Sequence, residues 1–399
     1  MNPMTEQTEA KIRTAVVGCG GAAWVGHLPW LWENPHIDLV AVCDPNCDRG
    51  TRAAERWNVP HVYQEFDKLL GEQPLDAVVI ATPPQTHHDL AVAALQKGLH
   101  VLVEKPLAVS TDQCDSMITA AGKAEKILTV SHEKRFNPGF EKVHQIIREG
   151  LLGDVFYLAV HWSAAVRLDP DSLSPPDYRS SYEWRWTDPE SGGGIVFDHL
   201  PHYLDLWRWW TSSEMETVCA ELLNVRKDWI GDEKLGGPHE DFGTALMKFQ
   251  NGCIGMFETG NAGRGLSPIQ MVGSGIGEWS EYGMIYGTRG HLIFDLLPWD
   301  SPEMPRIMMY SLQDKAPNYR GWFQVEMADP WRGAGGPLAP KSNSHYHFKR
   351  QMDDFTGAIL DNRNPQVTAA DGRATVAAVE AVYESFQTGK KITLNHAEK

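Results

Sequence analysis

The sequence predicts a two-part α/β protein: an N-terminal doubly wound parallel sheet, then an α+β region with an open, largely antiparallel sheet. Three observations carry this. Over residues 1–130 short apolar runs alternate with helical patterns. A glycine-rich turn follows the first of these runs directly. After Gly153 the pattern changes to longer strands linked without regular helices.

The elements follow in order. Ile12–Val17 reads as a strand, Ala22–Glu33 as a helix and Ile37–Cys43 as a second strand. Asn46–Trp57 reads as a helix, Asp76–Ala81 as a strand and His87–Lys97 as a helix. His100–Val103 is a strand, Thr111–Ala124 a helix and Ile127–Val130 a last short strand. Strands apolar throughout, separated by helices of about 10–15 residues, indicate a parallel sheet covered on both faces. In the second region Val155–Trp162, Thr217–Val225, Gly243–Phe249, Cys253–Glu258 and His291–Leu296 read as strands. Helical patterns at His345–Leu360 and Thr368–Gln387 close the chain. The expected division is 1–130 and 131–399, with the closing helices (345–387) packing back on the first domain. Leu168–Tyr178 and Met327–Asn343 read as long surface loops, which are commonly functional.

The chain has 399 residues, with 36 Lys plus Arg against 52 Asp plus Glu and a formal charge of −16. That balance argues against nucleic acid or an anionic membrane as partner, since both demand a basic face. No apolar run approaches the ~18 residues that would span a bilayer. The N-terminal stretch has no apolar signal core, and the scattered Cys19, Cys43, Cys47, Cys114, Cys219 and Cys253 suit reduced thiols. The expected location is therefore the cytoplasm. Fifteen Trp are present. Trp184 and Trp186 precede a glycine run, and Trp229, Trp279, Trp299, Trp322 and Trp331 fall in or near loops. Trp207, Trp209 and Trp210 suit a core or subunit interface, while Trp24 and Trp30 pack on the first helix. Flat aromatics suit the apolar faces of sugar rings in a pocket.

Three motifs carry chemistry. Gly18-Cys19-Gly20-Gly21-Ala22-Ala23 fits G-x-G-x-x-G/A, with Gly18, Gly20 and Ala23 at the key positions. Gly18 permits the turn, Gly20 lets backbone approach a pyrophosphate, and Ala23 allows close helix–strand packing. Asp44, at the end of the second strand, is placed to accept from both ribose hydroxyls of an adenosine and to repel a 2′-phosphate. This favours NAD over NADP, although Arg49 and Arg52 lie nearby; the bland reading makes Asp44 a helix cap. The second motif is Ala81-Thr82-Pro83-Pro84 with His87, then Glu104-Lys105-Pro106, at strand ends where open α/β sheets bind ligands. Read alone, Glu-Lys-Pro is most often a plain turn. The third is Gly192-Gly193-Gly194 leading into Asp198, His199, Pro201, His202 and Asp205. The glycines suggest close approach of backbone to a ligand. Asp198 and His202 stand four apart, so the carboxylate can orient the imidazole, unless Pro201 leaves Asp198 ahead of the helix. His199, His202 and Asp205, or His345 and His347, are weak metal candidates without supporting partners, and no metal is expected.

With these motifs in this order the chain resembles the Gfo/Idh/MocA family, which includes glucose–fructose oxidoreductase and inositol dehydrogenase. The likeness runs through VVGCGGAAWVGHLPWL, DAVVIATPPQTHHDLAVAAL, HVLVEKPLA, RFNPGFEKVHQIIREGLLGDV, GGGIVFDHLPHYLDL and IYGTRGHLIFD to the C-terminal helices. It implies a Rossmann domain joined to a second domain whose open sheet makes a homodimer or homotetramer. It also implies a carbohydrate or glycoside substrate. Gly18, Gly20, Gly21, Ala22, Ala23, Asp44, Thr82, Pro83, His87, Glu104 and Lys105 would hold NAD. His202 would be the general base or acid at near-neutral pKa, Lys105 would polarise the substrate oxygen, and Asp198 would hold the site. The segment before RFNP departs from the family with Ser131-His132-Glu133-Lys134-Arg135, so Glu133 and Arg135 are assigned to the substrate pocket with Tyr178, Trp184 and Arg185. The implied activity is hydride transfer to or from a sugar, cyclitol or glycoside carbinol. Its rivals are an NAD-dependent glycosidase that oxidises, eliminates, hydrates and re-reduces, with Glu133, Tyr178 or Glu183 assisting, and a dinucleotide-sensing protein without catalysis.

Overall fold

Six parallel strands form the first sheet of this computed structural model, in the order β3-β2-β1-β4-β5-β6. They are β1 Ile12–Val17, β2 Ile37–Cys43, β3 His61–Tyr63, β4 Ala77–Ile80, β5 His100–Glu104 and β6 Leu128–Ser131. The structure describes residues 11–164, 188–225, 239–260, 279–296, 306–312, 321–326 and 346–394. Strand β4 is buried throughout and β1 and β5 nearly so, as two-sided coverage by helices requires. The helices α2 Cys47–Trp57, α3 Phe66–Glu72, α4 His87–Gln96 and α5 Thr111–Ala124 connect them. β3 and α3 carry no apolar run, because β3 is an exposed edge strand and α3 buries only Leu69.

The first helix is not the uninterrupted one that its pattern predicts. After Gly21 and Ala22 the chain widens into a π turn, Ala23–His27, before α1 Leu28–Glu33. The cause is Pro29, which has no N–H and whose ring collides with the carbonyl four residues back. The bond Leu28 N–H to Ala23 O closes the wider turn.

The second sheet has nine strands in the order β14-β13-β12-β11-β7-β10-β9-β8-β15. They are β7 Val155–Ala164, β8 Met215–Leu223, β9 Phe242–Phe249, β10 Ile254–Gly260, β11 Trp279–Gly287, β12 Gly290–Leu296, β13 Arg306–Ser311, β14 Gly321–Gln324 and β15 Ile392–Thr393. Every neighbouring pair is antiparallel except β7 with β10. One face packs on α6 Pro138–Arg148, α7 Ile195–Thr211 and α9 Ala369–Thr388, with Trp207, Tyr203, Phe257 and Phe294 at the centre. The other face is largely uncovered: Leu246, Ile254 and Met256 are 54%, 42% and 40% exposed on adjacent strands. The closing helix α8 Tyr346–Leu360 places Phe348, Met352 and Phe355 in the core on one side of the first sheet. Val367, Ala369 and Val376 join the core on its other side.

Candidate active site

The glycine turn sits where β2 and β4 flank β1 and the chain direction away from β1 reverses. Such switch points at the carboxyl ends of strands are where open α/β sheets bind ligands. Gly18 has φ +89°, and a Cβ there would lie 2.5 Å from the Ala81 carbonyl and 2.9 Å from Thr82 Cγ2. Only glycine therefore lets the ends of β1 and β4 approach this closely. Asp44 does not cap α2; Asn46 does, accepting from Arg49 N–H. The Asp44 carboxylate instead accepts from Cys19 N–H and Asn46 N–H, both at 2.8 Å, which fastens the glycine turn to the end of β2. His87 is wholly buried, with Nδ1 2.9 Å from the Pro106 carbonyl and Nε2 2.8 Å from the Thr82 carbonyl. Burial holds its pKa below the ordinary value. His87 thus sits between the Thr82 loop and the loop that follows Lys105, donating to one of the two carbonyls according to its tautomer, with both ring nitrogens turned to backbone.

At the end of β5 the Glu-Lys-Pro segment is no plain turn. Glu104 is buried and lies 2.7 Å from Nε2 of His27, on the π turn. Burial opposes its charge, yet the His27 hydrogen bond and the charges of His27 and Lys105 hold its pKa below the usual carboxyl value. Lys105 reaches across to α7, donating to the Asp198 carboxylate at 2.5 Å and the Asp198 carbonyl at 3.0 Å. The two side chains are only 10% and 15% exposed, so this pair is largely withdrawn from water.

Helix α7 begins at Ile195 and contains Pro201 in its interior, so Asp198 lies in the first turn rather than ahead of it. The glycines before it allow close packing within the protein. A Cβ on Gly194 would lie 2.0 Å from the Glu240 carbonyl, and one on Gly193 2.1 Å from Tyr383 Oη. Glu240 fills the helix N-terminus, accepting from Gly194 N–H and Val196 N–H at 3.0 Å, and Tyr383 donates to it at 2.6 Å. A carboxylate there satisfies free N–H groups and complements the helix dipole.

The expected Asp198–His202 pairing is absent. Asp198 belongs to Lys105, with Nε2 of His199 at 3.8 Å, while His202 Nδ1 faces Glu133 Oε1 at 3.4 Å. Nor is His202 a base of near-neutral pKa: burial, and then the charges of Lys105 and Lys134, push it well below the ordinary value. Glu133 moves the other way. Burial and the neighbouring Glu104 charge raise its carboxyl to about 8, against the pull of Lys134 and Lys105.

Arg135 is turned into the protein rather than toward a pocket. It makes a two-pronged bond to Asp205 at 2.6 Å, meets Asp371 at 3.1 Å and donates to the Gln366 carbonyl. Asp205 is thereby removed from any ligand set, and His199 Nδ1 is engaged by Thr259 at 2.7 Å. Among the described residues no three His, Cys, Asp or Glu side chains gather as metal ligands. Tyr178, Glu183, Trp184, Arg185, Trp186, Trp229, Trp299, Trp331 and His345 lie outside the described residues.

The sequence reading did not single out His27, Lys134, Trp162 or Glu281. Trp162 stacks on His199 with ring centroids 3.6 Å apart and planes 7° apart, and Lys134 Nζ lies 4.4 Å over the same indole. Glu281 on β11 takes Lys134 Nζ and the Tyr203 hydroxyl. The only local signal for any of these was the unusual Glu133-Lys134 pair. Of the remaining tryptophans, Trp207 and Trp210 are core, Trp209 stacks on His144, Trp24 packs edge-on against Trp57, and Trp322 is half exposed on β14.

Comparison with known proteins agrees with this layout. The model of the oxidoreductase family GFO_IDH_MocA, NAD-binding Rossmann fold, matches residues 12–132, and the GFO/IDH/MocA C-terminal domain matches residues 140–293. 1,5-Anhydro-D-fructose reductase of Ensifer adhaerens is 27% identical over 356 residues, covering 88% of this chain and 90% of its own. 2,7-Anhydro-N-acetylneuraminate hydratase of Mediterraneibacter gnavus is 24% identical and covers 96% of each chain. In fold, levoglucosan dehydrogenase solved with NADH superposes over 97% of this chain and 100% of its own, with a TM-score of 0.78 at 20% identity. The two domain models, met in order and together spanning most of the sequence, show that the chain belongs to the Gfo/Idh/MocA family of NAD-binding oxidoreductases.

Proposed function

We propose that the protein transfers hydride between NAD and a hydroxyl-bearing carbon of a sugar, cyclitol or glycoside, with residues 1–130 holding the dinucleotide and 131–399 the substrate. The observation that carries this reading is the Lys105–Asp198 pair at the rim of β5, with His202 one helical turn beyond Asp198. The glycine turn fits a dinucleotide: Gly18 curls the backbone at the switch point, with Gly20, Gly21, Ala22 and Ala23 next to it. Thr82, with Pro83 next in sequence, flanks it on the β4 side. Asp44 spends one contact per oxygen on backbone N–H groups, which leaves each oxygen a lone pair for a ribose diol.

When bound, the nicotinamide supplies the two-electron chemistry. Lys105 is the cation for the substrate oxygen, and Asp198 fixes where its ammonium points. The Nε2 atom of His202 is the ring nitrogen turned away from Glu133 and serves as the proton site. An NAD-recycling hydratase or glycosidase is the second reading. It draws on Glu133, a carboxyl that keeps its proton at neutral pH, and on the similarity to a relative named a hydratase. Incubation of the pure protein with a glycoside panel separates the two. Accumulating reduced nicotinamide without cleavage supports the dehydrogenase; sugar release without it supports the hydratase. Neither signal, with nucleotide binding retained, favours a dinucleotide sensor.

Replacing Asp44 with Ser removes two charge-assisted acceptors. NAD affinity is expected to fall by about tenfold to a hundredfold, from ~1.5–3 kcal/mol for a hydrogen bond to a charged group, with NADP losing far less. Titration of nicotinamide fluorescence checks this, and an equal loss for both cofactors would remove Asp44 from the ribose.

The uncovered face of the second sheet is the proposed contact between copies of this chain. Exposed Leu246 and Met256 are register partners, and Ile254 pairs with Tyr157 on the other side, forming an apolar cluster bordered by Lys248, the partner of Ile254 on β9. Contiguous apolar patches of this kind mark interaction sites. The double variant Leu246→Glu/Met256→Arg is expected to run as a smaller species than the wild type in light scattering. An unchanged mass would move the contact elsewhere.

A further inference from the structure

Two polar atoms in the site stand out because they are buried and unbonded: Glu133 Oε1 and His202 Nδ1. They are 3.4 Å apart, on residues 2% and 7% exposed, and they belong to separate elements, the turn after β6 and α7. Unpaired buried polar groups are costly, so two that face each other within reach of a shared proton call for an explanation.

The charges around the pair explain which protonation state it takes. Glu133 is faced by Glu104 at the end of β5, by Lys105 beyond it and by Lys134 on its own turn. His202 is faced by Lys105, Lys134, His132 and His199. Burial and Glu104 disfavour the carboxylate, while burial and the two lysines disfavour the imidazolium. At neutral pH both partners are therefore uncharged, and they share two protons: one on the carboxyl and one on the ring.

We propose that Glu133 and His202 act as a single proton carrier, in which Glu133 is the positioning residue that decides whether Nε2 of His202 gives or takes a proton. The proposal rests on the hydride-transfer reading above. In the loaded form the Glu133 O–H donates to Nδ1, and the ring proton sits at Nε2, ready to be given to a carbonyl oxygen. In the unloaded form the Glu133 carboxylate accepts from Nδ1–H, and the lone pair of Nε2 is open to a hydroxyl. During oxidation the substrate O–H bond breaks as Nε2–H forms, and Nδ1–H breaks as the Glu133 O–H forms. The pair moves only the proton; the two electrons leave the carbinol carbon with the hydride that NAD, the oxidant named above, accepts. No imidazolium persists between two lysines, which removes the cost that a lone His202 would meet as a base. Carbonyl reduction is thus favoured below about pH 8, where Glu133 holds its proton, and alcohol oxidation above it.

The test is isotope-labelled histidine NMR on the full chain, with the His202 signal assigned from a His202→Asn variant. In the wild type His202 is expected to pass from the Nε2–H to the Nδ1–H tautomer around pH 8, without becoming imidazolium. Glu133→Gln should hold one tautomer throughout and lose the rising limb in kcat/KM for oxidation, with a drop of about a hundredfold, the lower range for a lost acid–base group. Glu133→Asp should keep the switch. Thermal melts add a reading independent of chemistry. A carboxyl with a raised folded pKa contributes stability that is full below its unfolded value and is lost as pH rises through about 8. Glu133→Gln abolishes that decline, so its melting point gains on the wild type from acid to alkaline pH. A tautomer switch unchanged in Glu133→Gln, or an imidazolium signal at neutral pH, overturns the proton carrier even if sugars are oxidised. An intact switch without oxidation of any sugar overturns the hydride-transfer reading and leaves the carrier standing.

Discussion

Lys105→Met is expected to lower turnover by about two to four orders of magnitude, the range for a positioned acid, base or electrostatic stabiliser. Lys105 Nζ sits on Asp198 through both the carboxylate and the carbonyl, so it has one aim and little freedom. Methionine keeps the length of the side chain and loses the charge and every donor. The loss should therefore fall mainly on kcat and only weakly on dinucleotide affinity, since Lys105 is one of several cofactor contacts and the glycine turn is untouched. Arginine should not rescue it, because a planar fork cannot present a compact ammonium in the same place. The variant also strands the Asp198 carboxylate in a nearly dry site. Breaking a buried pair from one side costs about 3–5 kcal/mol, whereas replacing both partners can be close to neutral. Lys105→Met/Asp198→Asn is then expected to recover the urea midpoint and none of the activity. Turnover within tenfold of the wild type in Lys105→Met would take Lys105 out of the reaction.

What the sequence announced and what it concealed divide along a physical line. The first sheet was legible because each strand is buried on both faces and therefore apolar throughout, as in the Ala77–Ile80 run. The glycine turn was legible because a positive φ and a close approach at Gly18 admit one residue type. β11 was not read as a strand because its burial pattern inverts its chemistry. Glu281, Gly283 and Gly287 point inward while Tyr282, Met284 and Tyr286 point out. Gly283 is small there because the Phe294 ring occupies its place, a requirement set by a residue on the next strand. The site shows the same division. Asp198 and His202 are four apart and invite pairing, yet each pairs with a residue more than sixty positions away in sequence, Lys105 and Glu133. Partners brought together by tertiary structure leave no periodic trace. The Glu133-Lys134 departure from the family marked the place without its partners: Glu133 faces His202, and Lys134 faces Glu281 and Trp162.

Arg135 has the second large consequence, in stability. Arg135 is 8% exposed, and its guanidinium holds the turn after β6 to α7 through Asp205 and to the start of α9 through Asp371. Arg208 extends the chain, meeting Asp371 at 3.1 Å and Glu214 at 2.6 Å. Burial works against the Asp371 charge, but Arg135, Arg208 and the Thr368 hydrogen bonds hold its pKa far below the usual carboxyl range. Asp371 also closes the capping box that starts α9, so one carboxylate serves both the helix end and the ion network. Asp205→Ala is expected to cost about 3–5 kcal/mol, because it leaves Arg135 buried with half its charge compensation gone. Asp205 is only 1% exposed, so water cannot replace the lost partner without opening the α7–α9 contact. Urea unfolding followed by fluorescence checks the figure. Asp115→Ala is the control: it removes an equally short two-pronged arginine pair, with Arg373, whose side chains are 39% and 51% exposed. An exposed pair is worth about 0–1 kcal/mol, so Asp115→Ala should barely move the midpoint. If the two variants lose stability equally, the Arg135 network is not what ties the Glu133 turn to α7. The register of Glu133 against His202 would then rest on hydrophobic packing around Phe136 and Phe140 instead.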